Sequence, residues 1–387
     1  MSTTIRKSLI LLEEYCRNEK YKGYDPYDGL NSKLFNAIPF ISNCRVARLV
    51  WIQFFKRSLI NFRPLTGVEK GTNPKALGLF LSGYCNLHKL SPDKEDTDII
   101  LFLTDEIRSN MSKNWSGACW GYNFDWQARA FFLPKYTPTV VATSFISSAL
   151  LDAYEITGDK DLTDMAKSSC EFIIRDLNRI FDDKGNFAFS YSPRDKSVVY
   201  NASLLGSRLL ARMYSIIHDP ELIDTAEKSV AFCCSHQNSD GSWNYGSDSF
   251  QKWIDNFHTG FNLESLADYI RYSDDHRYDE HLRKGFEYYI NTFFTEKGIS
   301  KYYNNSVYPV DIHAPAQLII TLSKLGRLQE YKDLADKVLM WTIRNMQSEK
   351  GYFYFQKNRI FTSKIPYMRW AQAWMFYALT TYLLKMK

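Results

Sequence analysis

The sequence predicts an all-α protein, an (α/α)6 toroid barrel in which six helical hairpins close into a ring. Three observations carry this expectation. Helix-start signals recur near residues 73, 137, 200, 256, 311 and 367, a spacing of roughly 55 to 64 residues, and self-similarity at a fixed period marks a repeat architecture. The helical segments alternate in character: one kind is apolar or small on nearly every face and must be buried, the other carries a polar stripe and must face water. Each polar-striped helix is followed by a long loop rich in Gly, Trp, Tyr, Asn and Asp, whereas the opposite turns, at 156–159 and 218–221, are short and plain.

In chain order, residues 3–19 fit an amphipathic helix. Residues 21–35 follow, with Asp25-Pro26 and Asp28-Gly29 as turn signals, so this stretch reads as an aromatic loop. A helix at 45–61 is expected to pair with the first buried helix and complete a set of six inner and six outer helices. On that reading residues 1–43 form an N-terminal helix and aromatic loop packed on the barrel, and 44–387 form the toroid. The first inner helix opens at Asn73-Pro74, with Asn as cap and Pro in the first turn; its partner is 93–112. The later pairs are 137 onward with 160–180, 200 onward with 220–236, 256 onward with 276–294, and 311 onward with 328–346; 367–385 closes the ring.

Composition bounds the function. The 387 residues carry 45% apolar and 24% charged side chains and a net charge of +5. Scattered Lys and Arg argue against a nucleic-acid footprint, and no window approaches the ~18 apolar residues of a membrane span. Seven cysteines without framework spacing fit free thiols in a reducing compartment, hence a cytoplasmic protein. The aromatic share of 16% exceeds what a plain connector scheme needs and suits both a bulky core and a ring-lined cleft.

The expected geometry gathers the long loops, and the N-termini of all inner helices, at one end. There the free N–H groups of helix starts favour an anionic ligand group. The richest loop, Gln237 to His258, brings Trp243, Tyr245, Trp253, Asp255, Asn256 and His258 within a few turns. His313 and Asp311 occupy the matching place in the fifth repeat, Arg369 and Trp370 in the sixth, and Tyr200 with Asn201 in the third. Tyr122, Asp125, Trp126 and Gln127 precede the second inner helix, and Tyr191 the third. Rings of this density beside Asp, Asn and Arg describe a sugar cleft, in which aromatic faces cover the pyranose and fork-shaped donors take hydroxyls or carboxylates.

Repeated helix pairs joined by loops such as Gln237–Trp243 resemble the (α/α)6 toroid enzymes: six-hairpin glycosidases, alginate-type lyases, sugar 2-epimerases and the helical domain of glucuronyl C5-epimerases. The order Tyr24–Leu30, Gln237–Trp243, Asn256–Phe261 and Arg369–Trp374 is similar to a family of capsule and exopolysaccharide gene clusters. The Gln237–Trp243 stretch also resembles the QW repeat of squalene-cyclase toroids, but the Asp-x-Asp-Asp run of that chemistry does not occur. Cys233, Cys234 and His236 lack the second ligand cluster of the zinc toroids, so neither a metal nor another cofactor is expected.

The resemblance implies an intracellular carbohydrate-active protein of surface polysaccharide biosynthesis, acting on a sugar or uronic-acid unit of a glycan, with other polysaccharide-assembly proteins as partners. Abstraction of a proton alpha to a carboxylate needs a base, an acid and neutralisation of the enediolate; His258, Asn256, Tyr200, Arg369 and His313 are the candidates. Tyr122, Asp125, Trp126, Gln127, Tyr191, Trp243, Tyr245, Trp253, Asp255, Asp311 and Trp370 are the candidate substrate contacts. Two other readings stand beside it. A six-hairpin glycosidase needs a carboxylate pair about 5 to 9.5 Å apart, for which Asp125, Asp255, Asp311 and Glu264 are available. A glycan-binding or assembly protein needs no such pair.

Overall fold

The computed structural model describes residues 2–387. Its helices are α1 (Ser2–Asn18), α2 (Lys33–Asn36), α3 (Pro39–Ser42), α4 (Arg45–Arg57), α5 (Pro74–Leu90), α6 (Lys94–Ser109), α7 (Val140–Thr157), α8 (Lys160–Asp176), α9 (Tyr200–Ile217), α10 (Pro220–Ser235), α11 (Asn256–Ser273), α12 (Asp279–Phe293), α13 (His313–Lys324), α14 (Lys332–Met346) and α15 (Trp374–Lys385). Helices α5, α7, α9, α11, α13 and α15 pack side by side, and α15 returns to α5. The result is a closed inner ring, the (α/α)6 toroid.

The inner helices are those with small or apolar side chains all round. In α7 nearly every position from Val140 to Leu151 is buried. The outer helices bury one stripe only, as α8 does with Leu162, Ala166, Cys170 and Ile173. Caps set where the inner helices begin: the side chains of Asn73, Thr139 and Asp255 accept from the backbone N–H groups of Lys75, Ala142 and His258.

One expectation is corrected here. The sixth outer helix is α1, which packs on α14 and α15, not the helix at 45–61. Helix α1 buries Ile5, Leu9, Leu12 and Cys16 completely or nearly so, whereas α4 leaves Val46, Val50 and Phe54 exposed. A boundary at residue 43 therefore cuts across the ring, and residues 19–73 are its sixth rim loop, enlarged by α2 to α4.

The loop motif around Gln237 has an architectural role. Gly241 has φ +90°, and a Cβ there would meet Lys284 O on the next outer helix at 2.4 Å. Gln237 Nε2 donates to Gly241 O (2.8 Å) and to His281 O (2.9 Å). Trp243 is buried and its Nε1 donates to Cys233 O at 2.9 Å. The same device closes the ring. Gly351 has φ +92° and presses on Leu11 O of α1, while Gln347 Nε2 donates to Gly351 O and Ser8 O. Each motif ties one outer helix to its neighbour.

The rim loops contain short antiparallel pairs: β1 (Trp126–Gln127) with β2 (Phe132–Leu133), β3 (Arg179–Phe181) with β4 (Phe187–Phe189), and β5 (Val310–Asp311) with β6 (Gln356–Lys357), which pairs in turn with β7 (Thr362–Ser363). The sixth inner helix opens with a π-helical turn, Met368–Ala373, before α15. Such turns rotate side chains out of the α-helical phase and are frequent at functional sites; this one carries Arg369 and Trp370.

Candidate functional site

At the rim end the inner ring opens into a cleft of about 590 Å³, its mouth included. It is lined by Tyr27, Lys75, Tyr122, Phe124, Trp126, Val141, Tyr191, Asn201, Tyr245, Phe257, His258, Phe261, His313, Arg369 and Trp370. The expected residues His258, His313, Arg369, Tyr122, Trp126, Tyr191, Tyr245 and Trp370 are thus brought together around one hollow.

His258 stands in the first turn of α11. Its Nδ1 is 2.7 Å from Asp255 Oδ2, which also accepts Trp253 Nε1 at 3.1 Å, while Asp255 Oδ1 accepts the backbone N–H of His258 at 2.9 Å. The capping carboxylate thereby fixes the ring orientation and the tautomer with hydrogen on Nδ1, leaving Nε2 as the free nitrogen. Asp255 is buried behind His258 and does not line the cleft. Trp253 supports the same group from outside, stacked on Tyr245 with centroids 4.5 Å apart.

His313 stands in the first turn of α13 between the rings of Phe257 (4.3 Å, interplanar 1°) and Trp374 (4.2 Å). Among the described residues neither of its ring nitrogens has a hydrogen-bond partner. Burial, reinforced by Lys75, His258 and Arg369, holds its pKa well below the ordinary histidine range, so the ring is neutral. Asp311, expected at the site, faces away from it. Its oxygens accept Trp370 Nε1 (2.9 Å), Gln356 Nε2 (2.7 Å) and the His313 N–H (3.0 Å), so it positions the two neighbours that do line the cleft.

Arg369 is engaged from behind. Its Nε and Nη2 meet Asp25 Oδ2 and Oδ1 at 2.6 and 2.9 Å, both groups buried. The fork was expected to face a substrate; its Nε–Nη2 edge faces the rim loop instead, and Nη1 makes no hydrogen bond among the described residues. The guanidinium lies over Tyr122 and Trp370, 5.0 and 5.2 Å from the centroids. Asp25 is held by the rim loop itself: Arg63 donates to Asp28 Oδ1 (2.5 Å), Asp25 O (2.7 Å) and Tyr367 Oη (3.0 Å).

Lys75, one position inside the first turn of α5, is 3% exposed. Its Nζ lies over Phe145 (4.1 Å), Trp374 (5.2 Å) and Phe261 (5.3 Å) and makes no ion pair among the described residues. The ring faces favour an ammonium. Burial opposes it, Arg369 adds repulsion, and the amine is held well below the usual lysine range. Asn201 also lines the cleft, with Nδ2 unpartnered among the described residues. Tyr122 and Tyr191 share a hydrogen bond between hydroxyls at 3.1 Å, and burial raises both phenols, so at neutral pH they are donors.

Several expected contacts lie elsewhere. Tyr200 turns outward against His236 (5.4 Å between centroids), one helical position out of phase with Asn201. Asn256 faces the outer layer, its Oδ1 accepting Tyr289 Oη at 3.1 Å. Gln127 is buried and bonds Ala128 O and Phe131 O, Asp125 accepts the Lys135 N–H, and Trp243 is the loop staple described above. Glu264 lies below the cleft floor, held by Gln317, by Thr321 (2.9 Å) and by Arg208 (3.7 Å). Arg208 also meets Asp268 (2.8 Å), and Lys324 meets Asp268 (3.3 Å). Burial raises Glu264 to about 7 against the pull of Arg208. Among the described residues no carboxylate lines the cleft, and no group of three His, Cys, Asp or Glu side chains is placed to hold a metal ion.

Sequence could have exposed one missed group. Lys75 is the one charged residue in the first three turns of an otherwise apolar or small helix. Of the pair expected at the start of the third inner helix, Asn201 lines the cleft and Tyr200 does not. Tyr27 and Asp25 reach the site only through the folding-back of a distant loop.

In architecture the chain is a six-hairpin (α/α)6 toroid of the kind used by carbohydrate enzymes. It is similar to an unsaturated glucuronyl hydrolase specific for heparin (15% identity over 98% of this chain and 96% of that one, TM-score 0.63). It is also similar to cellobiose 2-epimerase from Bacillus thermoamylovorans (10%, 83% and 90%, TM-score 0.65) and to the GH76 alpha-mannanase of Bacteroides thetaiotaomicron (14%, 82% and 88%, TM-score 0.61). At these identities the likeness shows the fold. No protein-family profile matches the sequence, and no curated protein matches it.

Proposed function

We propose that the protein is a sugar-processing enzyme that abstracts the proton alpha to the carboxylate of a uronic-acid unit, as an epimerase or lyase. The observation that carries this reading is the chemistry of the lining: two imidazoles and an unpaired lysine face the cleft, and among the described residues no carboxylate does. Hydrolysis through two carboxylates lacks its groups, because Asp25, Asp255 and Asp311 stand behind the lining with partners of their own.

His258 Nε2 is the base. Its Nδ1–H donates to Asp255, which stabilises the imidazolium that forms. The C5–H bond breaks, the proton goes to His258, and the electron pair moves into the carboxylate as an enediolate. Lys75 Nζ and Arg369 Nη1 neutralise that charge. An arriving carboxylate supplies the counter-ion that Lys75 lacks, so the amine takes a proton as the substrate binds. For epimerisation a proton returns from the opposite face, with neutral His313 or the Tyr122–Tyr191 pair as donor. For elimination the electron pair instead forms the C4–C5 double bond as the C4–O bond breaks, and the departing sugar oxygen takes a proton from His258 or the Tyr122–Tyr191 pair. Trp126, Tyr245, Trp370 and Tyr27 supply ring faces for the sugar.

The order of motifs supports a place in surface-polysaccharide assembly, and the free cysteines, seven in all, support a reducing, cytoplasmic compartment. The test is incubation with glucuronate and mannuronate oligosaccharides, read by nuclear magnetic resonance. Inverted C5 centres or 4,5-unsaturated ends support the proposal. New reducing ends with neither product would replace it with hydrolysis, and tight binding without turnover would favour the glycan-binding alternative.

A further inference from the structure

The rim of the toroid is unusually apolar where it meets water. In the sixth rim loop Leu34, Phe40, Val46, Val50, Phe54, Leu59, Ile60 and Leu65 are all exposed, with Phe40 at 79%, Ile60 at 63% and Leu65 at 80%. Val46, Val50 and Phe54 recur every four residues and form one stripe on α4, opposite the stripe of Ile52 and Phe55 that packs inward. The neighbouring rim loop adds Ile360, 93% exposed, and Phe361 at the tip of the β6–β7 hairpin. These two loops adjoin in the ring: one leads out of α14 into α15, the other out of α1, which packs on both, and Tyr24 bridges to Tyr367 between them.

The exposed charge of this sector is mainly positive, with Glu69 at its edge paired to Lys33. Residues 29–68 contain Lys33, Arg45, Arg48, Lys56, Arg57 and Arg63 and no Asp or Glu. Some of these cations turn inward: Arg63 pairs with Asp28, Lys56 donates to Tyr27 Oη, and Arg48 lies over Phe132. Arg45 and Arg57 stay exposed. Residues 356–364 likewise hold Lys357, Arg359 and Lys364 without a carboxylate, and the last two are exposed.

We infer that this sector docks the protein on an anionic phospholipid surface, with the cleft mouth held at the headgroup layer. Aliphatic and Phe tips surrounded by Arg and Lys are the composition of segments that lie in a membrane interface, their apolar side sunk to the acyl boundary and their cations among lipid phosphates. No described helix is long and apolar enough to cross a membrane, so the attachment is peripheral. A second copy of the chain fits less well, because it would bring two cationic faces together. A polysaccharide fits less well too, since Val, Leu and Ile offer no flat ring to a sugar. The inference does not rest on the reaction proposed above.

The test uses the full-length protein with phosphatidylcholine vesicles made with and without phosphatidylglycerol, in a sedimentation assay. Binding to the phosphatidylglycerol vesicles is expected, lost in high salt, and weakened about tenfold or more by the triple variant Phe40→Ser, Val50→Ser, Ile60→Ser. All three side chains are exposed, so an unchanged circular dichroism spectrum and melting temperature will show that the variant folds. Absence of binding by the folded wild-type protein at low salt would overturn the inference. So would a wild-type dimer that the triple variant splits while vesicle binding is unchanged.

Discussion

Asp25 and Arg369, 344 positions apart, meet as a buried fork-to-fork pair at 2.6 and 2.9 Å. This contact fastens the sixth rim loop to the π-helical turn that opens the last inner helix. It also determines how much of the guanidinium the cleft sees. Removing one partner strands a buried charge. We expect Asp25→Asn to cost about 3 to 5 kcal/mol in urea unfolding. The double variant Asp25→Leu, Arg369→Met is expected to recover part of that stability, while losing whatever binding Arg369 Nη1 provides.

Asp255 acts through His258. Asp255→Asn keeps a cap for α11 and removes the acceptor that fixes the imidazole. The expected result is a kcat lower by about 100-fold or more with KM little changed, measured on whichever uronate oligosaccharide is turned over. A fall confined to KM would show that the pair only binds.

Lys75 gives a prediction of opposite signs. An unpaired buried amine burdens the fold, so Lys75→Met should raise the stability of the free protein by about 1 kcal/mol or more. The same variant should bind an acidic oligosaccharide more weakly and leave binding of a neutral one nearly unchanged, read by calorimetry. A core lysine without a ligand role would show the gain in stability and no change in either affinity.

The two tryptophans separate staple from cleft. Trp243→Phe removes the shorter of the two hydrogen bonds to Cys233 O, leaving that from the His236 N–H, and should cost about 1 kcal/mol with glycan affinity unchanged. Trp126→Ala should do the reverse, weakening glycan binding with a smaller loss in thermal stability. Equal effects of both on affinity would contradict the geometry.

Glu264 predicts a pH dependence. Its carboxyl is raised in the fold from an ordinary 4.5 to about 7 by burial, so the protonated form is the one the fold favours. Its contribution is present in full below pH 4.5, declines through that interval, and is lost above about pH 7. Thermal melts of Glu264→Gln against wild type should therefore show the variant gaining on the wild type as pH rises across this window. A difference that stays flat would remove Glu264 as the titrating group.

Much of the ring was legible because its signals are local and repeated. An apolar helix such as 140–157 and a striped one such as 160–176 differ at a glance, and their alternation specifies a closed bundle. The choice between α1 and α4 as the sixth outer helix was not legible. Both carry an amphipathic pattern, and what decides is which one lies across the closing seam from α15, a relation between the two ends of the chain. The site shows the same division. His258 and His313 fall at helix starts, where local pattern suffices, but a cap displaced by one residue turns a side chain by about 100°, which is why Asn201 and not Tyr200 faces the cleft. Asp25 opposite Arg369 is a long-range pairing that no local pattern contains. The Gln237–Trp243 motif was read as chemistry because aromatics and polar groups crowd there; its repetition at Gln347–Gly351, beside α1, identifies it as the fastening between outer helices.

The central claim is that the cleft removes a carbon-bound proton with His258 as the base. The most direct measurement is incorporation of solvent deuterium at C5 of a uronate oligosaccharide, followed by nuclear magnetic resonance for the wild-type protein and His258→Gln. The account predicts exchange or deuterated product with the wild type and loss by at least about 100-fold in the variant. Turnover without deuterium at C5 and without elimination, or exchange undiminished in His258→Gln, would contradict it.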